Sequence, residues 1–150
     1  EYEPKVGRRH AEGLIVVNGV PLLLEATVVT SGRELVGFQA ISLEEGANKT
    51  LMKILDKAQQ LEAATDPILL FLSPHLSMLP QELKRGISEA FLQDGCRSIA
   101  GVIVSDSYCV HRLRVGWNSF RCPVPKTVQD VLSRLYQFQR LNLDDPWSDD

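Results

Sequence analysis

Sulfur and imidazole are scarce in this sequence, with three cysteines and three histidines among 150 residues. Cys96, Cys109 and Cys122 are odd in number and form no C-x-x-C pair, which argues against a disulfide framework or a zinc ribbon and for a reducing, cytoplasmic setting. His10, His75 and His111 fall at no spacing that suits zinc, alone or with Cys109. No stretch approaches the ~18 consecutive apolar residues of a membrane span. Residues 1–10 are charged, unlike the apolar core of a signal peptide, so a soluble protein with no membrane partner is expected. Neither G-x-x-x-x-G-K-[ST] nor G-x-G-x-x-G occurs, which leaves nucleotide cofactors without a phosphate cradle. Asp106, Ser107 and His111 lack a G-x-S-x-G elbow, and a hydrolase triad is set aside. A net charge of −3 lacks the basic excess of a general nucleic-acid coat.

What is present suffices for one packed domain over residues 1–150. The composition is 44% hydrophobic and 23% charged, and a chain of this size buries roughly 68–70% of its unfolded surface. Charge is uneven. Arg8, Arg9 and His10 stand near the start, and His111, Arg112, Arg114 and Arg121 lie near Tyr108 and Trp117. Four aspartates occupy the last seven residues, 144–150, which read as an acidic, solvated tail.

Periodicity gives the elements. Residues 13–17 and 20–29 read as two strands joined at Asn18-Gly19, a dipeptide that accepts the positive φ of a tight hairpin. A third strand is expected at 34–42, completing a meander. Leu51, Ile54, Leu55, Ala58 and Leu61 form one helical stripe over 48–64, with Asn48 as N-cap. Residues 68–72, all apolar and lying between two prolines, suit a central strand covered on both faces. A helix over 80–94, a buried strand over 98–105, an edge strand over 108–115 and a helix over 127–141 complete the order. The strand-helix-strand order around 68–105 predicts a parallel pair with a right-handed crossover. The fold class is therefore α/β, a central mixed sheet flanked by helices. The edge strand offers a second copy a place to pair, so a homodimer is one expected assembly.

Two carboxylates stand where strands are expected, Glu12 at the entry to the first and Glu25 inside the otherwise apolar second. A buried, unpartnered charge costs several kcal/mol, so Glu25 requires solvent, a cation or a donor beside it. Glu12 and Glu25 are equidistant from Asn18-Gly19 and face each other across the ladder. Together they are candidate ligands for a hard cation such as Mg²⁺. Read without a cation, the same pair is a strand-end charge and a solvated one.

The stretch from Ala11 to Thr27, the third strand, the helix carrying Lys57, Gln59 and Gln60, and the strand after Pro67 resemble the PD-(D/E)XK, restriction-endonuclease-like superfamily over residues 8–75. The resemblance implies a magnesium-dependent nuclease acting on DNA or RNA, with Glu12 as the first acid, Glu25 as the second and Thr27 at the lysine position. Thr27 departs from the pattern, since it removes the cation that orients the nucleophile. Lys57, better placed on the helical wheel than Lys53, is the candidate substitute, and Gln59 or Gln60 would fill a glutamine position. Arg8, Arg9 and His10, just before the first strand, would contact phosphate. Residues 1–7 are too short and proline-interrupted for the helix that precedes the first strand in that family, so a helix upstream is expected. Two other readings stand beside this one. One is an inactive binding or oligomerisation module of the same fold, and the other is an α/β interaction protein unrelated to nucleases.

Overall fold

The computed structural model describes residues 5–6, 9–30, 43–74, 78–106 and 109–145. The third strand expected at 34–42 lies outside them, as does Arg8. A two-stranded antiparallel sheet pairs β1 (Lys5–Val6) with β2 (Arg9–His10). The main sheet has six strands in sequential order: β3 (Gly13–Val17), β4 (Val20–Val29), β5 (Ile68–Pro74), β6 (Ile99–Asp106), β7 (Cys109–Trp117) and β8 (Gln139–Arg140). Three helices accompany it: α1 (Leu43–Gln60), α2 (Pro80–Phe91) and α3 (Lys126–Tyr136). This is the expected α/β class with a mixed sheet.

The hairpin forms at Asn18 and Gly19, with φ of 50° and 79°, and pairs Gly13 with Leu24 through to Val17 with Val20. β4, β5 and β6 are mutually parallel, whereas β7 runs antiparallel to β6 and carries β8 parallel to itself. Every crossover moves the same way across the sheet, but the strand direction reverses at β7. Right-handed connections therefore place α1 and α2 on one face and α3 on the other. Two cores result. Leu23, Ile68, Leu70 and Val102 pack with Ile54 and Ala58 of α1 and Leu83, Ile87 and Ala90 of α2. Leu22, Leu69, Ile103 and Val115 pack with Val128 and Leu132 of α3. The continuous apolar run of β5 thus feeds both cores by alternation.

Several boundaries move from their sequence-based positions. α1 starts at Leu43 with Glu44 and Glu45 in its first turn, where carboxylates suit the helix dipole, so Asn48 lies inside the helix rather than at its cap. α2 ends at Phe91, and a 3₁₀ turn over Asp94–Cys96 follows. α3 stops at Tyr136 because Gln137 adopts a left-handed backbone (φ 54°, ψ 40°), and Phe138 enters the core from extended chain while Leu135 stays exposed. β7 is not a free edge: β8 pairs with Arg114 and Val115, which occupies part of the edge expected to receive a second copy. Residues 146–150 of the acidic tail lie outside the described residues, and the chain just before them is bonded to the rest. Ser88 Oγ donates to the Leu143 carbonyl at 3.3 Å, buried Lys84 Nζ donates to the Asp145 carbonyl at 3.3 Å, and Arg140 pairs with Asp144 at 3.2 Å.

α1 and α2 cross closely because small residues line their contact. A Cβ added at Gly86 would stand 2.5 Å from Thr50 Cβ and 2.6 Å from the Ala47 carbonyl oxygen. Thr50 itself is fully buried and donates to the Gly46 carbonyl at 3.1 Å. Gly86→Ala is expected to destabilise the fold by about 1–2 kcal/mol net in urea titration, because overpacking of about 1–3 kcal/mol exceeds alanine's helical advantage of about 1 kcal/mol. Gly95→Ala, whose added Cβ meets only Leu55 Cδ2 at 3.6 Å, is expected to change stability by less than about 0.5 kcal/mol.

Candidate functional site

β4 has ten residues and β3 has five, so the ladder between them ends at Gly13 and Leu24 and the second half of β4 runs on past it. Glu25 is the first residue beyond that end. The chain bends at Glu12, whose N–H donates to the Leu24 carbonyl at 3.0 Å. The paired register stops at Gly13 and Leu24, so Glu12 and Glu25 each stand one residue beyond it. Glu12 is exposed, whereas Glu25 is buried at 7% exposure.

Alternation along β4 turns Leu23, Glu25 and Val29 toward α1. Opposite Glu25, α1 presents Lys57, whose Nζ lies 3.7 Å from Glu25 Oε1 with the lysine side chain 22% exposed. The Ala26 N–H donates to the same oxygen at 3.3 Å. Oε2 has no protein partner among the described residues and is not closed off from solvent. One oxygen of the carboxylate thus accepts a backbone N–H and faces an ammonium group, and the other has no protein partner among the described residues. Thr27, two residues on and on the same face by alternation, is half-buried.

The remaining sequence candidates are placed elsewhere. Gln59 is exposed and lines a cavity of about 620 Å³ at the start of β5 and β6, together with Glu62, Asp66, Asp94, Arg97 and Cys122. It is not brought to Glu25. Arg9 and His10 form β2, in chain just before Glu12. Of the second basic patch, Arg112 is exposed and Arg114 half-buried, while Trp117 packs against the α3-side core and lines a cavity of about 420 Å³. Burial pushes the Cys96 thiol up to about 11 and raises the Cys122 thiol in the same direction, so neither offers a thiolate near neutral pH. Among the described residues no group of three or more His, Cys, Asp and Glu could hold a metal ion.

Sequence reasoning passed over Lys49. It stands four and eight residues before Lys53 and Lys57, a spacing that returns near one helix face at each step and was legible in the chain. Lys49, Lys53, Met52, Asn48 and Asp56 line an open groove of about 680 Å³ with Val28, Val29 and Thr30 of β4.

No protein-family model, curated protein or solved structure matches this chain. The site's meaning therefore rests on its own residues.

Removing Lys57 would leave a mostly buried carboxylate with one backbone donor. Lys57→Met is expected to lower stability by about 1–2 kcal/mol, less than the 3–5 kcal/mol typical of a fully buried pair because lysine is partly solvated. Glu25→Gln in the same background is expected to restore part of that loss. Chemical denaturation of the two single variants and the double variant gives the coupling directly.

Proposed function

We propose that Glu12, Glu25 and Lys57 form a divalent-cation site for phosphodiester hydrolysis on a PD-(D/E)XK-like core. The observation that carries this reading is the 3.7 Å approach of Lys57 Nζ to Glu25 Oε1. It supplies from a helix the ammonium group that Thr27 does not supply from the strand.

The donor set fits magnesium. Mg²⁺ keeps several waters and is commonly held by one or two carboxylates together with substrate phosphates, so two glutamates suffice where an all-protein cage would need more. Glu25 Oε2 and the exposed Glu12 carboxylate are the groups that would hold it. When bound, a divalent cation supplies Lewis-acid stabilisation of a phosphodiester and an acidified water. Lys57 fixes the orientation of Glu25, and its partly solvated ammonium group offers charge stabilisation to a phosphate that reaches the site. Ile54, Ala58 and Leu70 are buried in the core on this side of the sheet, a low-dielectric backing against which those charges act more strongly.

Thr27 favours a second reading, an inactive module of the same fold that binds without cleaving. A neutral hydroxyl at that position neither neutralises charge nor activates water. Both readings keep the Glu25–Lys57 pair and differ in whether metal and cleavage follow.

Calorimetric titration of Mg²⁺ and Mn²⁺ into the wild-type chain, followed by a nuclease assay on the same samples, separates the two. Metal uptake that Glu25→Gln weakens by at least about tenfold, with cleavage that Lys57→Ala lowers by about 10²-fold while metal binding persists, is the expected result. Metal uptake without cleavage leaves the binding module, and no uptake by the wild-type chain removes the hydrolytic reading.

A further inference from the structure

We propose that the groove between α1 and the end of β4 seats an unpaired nucleic-acid strand, with Lys49 and Lys53 on its phosphates and Met52 against its bases. This rests on the reading of Glu25 and Lys57 as a phosphodiester site and names the substrate form that the site would receive.

The groove lies along the same helix and strand as that site. α1 runs antiparallel to β4, and Lys57 stands level with Glu25. From Lys57 back to Lys49 the helix rises about 12 Å, while from Glu25 on to Val29 the strand advances about 13 Å. The two elements therefore stay abreast, and the lysines step away from the carboxylate along the same line, about 6 Å apart. The lining agrees, since Lys53, Met52 and Lys49 share the groove with Val28, Val29 and Thr30.

Among the described residues its lining carries two lysines against one carboxylate. Neither Lys49 nor Lys53 has an ion pair or hydrogen bond among the described residues. The one carboxylate in the lining, Asp56, accepts from Gln60 Nε2 at 3.2 Å. Three other hollows differ, one of them a hollow of about 400 Å³ that shares Asn48 with the groove and sets Glu44, Glu45 and Glu89 against Arg85, itself paired with Glu89. The 620 Å³ cavity carries Glu62, Asp66 and Asp94 against a single arginine, Arg97. In the 420 Å³ cavity Lys126 pairs with Asp130 and Arg140 with Asp144. In a chain of net charge −3, this groove presents two cations without ion pairs among the described residues to a polyanion.

Its apolar content selects the form of that polyanion. Met52 of α1 is 56% exposed beside the two lysines of the groove. A duplex hides its base faces in the stack and would gain nothing from it. An unpaired strand presents base faces, which single-strand sites meet with stacking surfaces beside a charged track. The thioether of Met52 is polarisable and makes favourable contact with aromatic faces.

The test is fluorescence anisotropy of a short labelled single-stranded DNA in excess EDTA, so that cleavage is off, against its duplex and against phosphatidylserine vesicles. Expected are single-strand binding at least about tenfold tighter than duplex binding, and affinity weakened about tenfold or more in Lys49→Gln/Lys53→Gln. The slope of log affinity against log salt falls by about 1.4 in that variant, about 0.7 for each phosphate that a lysine no longer neutralises. Met52→Ala weakens single-strand binding severalfold with the slope unchanged. Both lysines are solvent-accessible, so an unchanged thermal melt certifies the fold. No single-strand binding by the wild-type chain, equal binding by the double-lysine variant, a duplex bound as tightly, or binding to vesicles alone overturns the proposal. Lysine-dependent strand binding in a chain that takes up no metal overturns the hydrolytic reading and leaves this one standing. Metal-dependent cleavage with strand binding indifferent to Lys49 and Lys53 does the reverse.

Discussion

Three parallel strands can be neighbours only if the chain crosses the sheet between them, and this constraint arranges most of the molecule. β4, β5 and β6 are linked in that way by the α1 and α2 connections. Right-handedness sends both helices to one face, which forces them together and requires the small residues Gly46, Ala47 and Gly86 at their crossing. The same crossover returns α1 antiparallel along β4, so any residue inside β4 that faces α1 has a helix beside it. Glu25 is such a residue. The Glu25–Lys57 approach follows from topology before it follows from the identity of either side chain.

Buried charge is confined to places where the backbone can answer it. Glu82, at 1% exposure, accepts from the Leu79 N–H at 3.2 Å with Oε2 and fits against Gly46, where a Cβ would meet its carboxyl carbon at 2.3 Å. Lys84, also 1% exposed, reaches the carbonyl of Asp145 and ties the end of the described chain to α2. Glu25 differs in kind. Its partner is a lysine that is itself partly solvated, and one of its oxygens stays without a protein partner among the described residues. That oxygen is open to solvent, so leaving it without a protein donor costs little. The open oxygen of Glu25 is the feature on which its reading as a ligand position rests.

Elements with local causes were legible in the chain. Asn18-Gly19 dictated the hairpin, and the prolines around residues 68–72 together with unbroken hydrophobicity dictated a central strand. The Gly13–Leu24 register followed from hairpin symmetry, which leaves Glu12 and Glu25 one step beyond the ladder. Boundaries set by tertiary contact were not legible: α1 extends back to Leu43 because Gly46, Ala47 and Thr50 are buried against α2, a cause outside any local pattern. Phe138 continues the α3 stripe in phase, yet the left-handed turn at Gln137 ends the helix first. β8 has two exposed residues and no strand signature, and exists through pairing with β7. Lys57 was legible as a candidate, while its partner required knowing that α1 lies against β4 on the Glu25 side. Gln59 fails for the same geometric reason, since two residues along a helix turn a side chain about 200° away.

Moving an ammonium group from a strand to a helix changes what it can do. A lysine at position 27 would share the rigid alternation of β4 with Glu25, with its reach set by the pleat. Lys57 approaches along a flexible four-carbon stem from a separate element, and its distance from Glu25 depends on how α1 seats on the sheet. That seating depends in turn on the contact of α1 with α2, and the C-terminal segment is bonded to α2 through Lys84 and Ser88. Electrostatics at Glu25 is thereby linked to packing at the far side of the helix layer. Under the hydrolytic reading the site gains its missing cation at the cost of depending on helix position. Under the binding reading the same pair does only structural work, and Lys49 and Lys53 keep their charges for whatever lies in the groove.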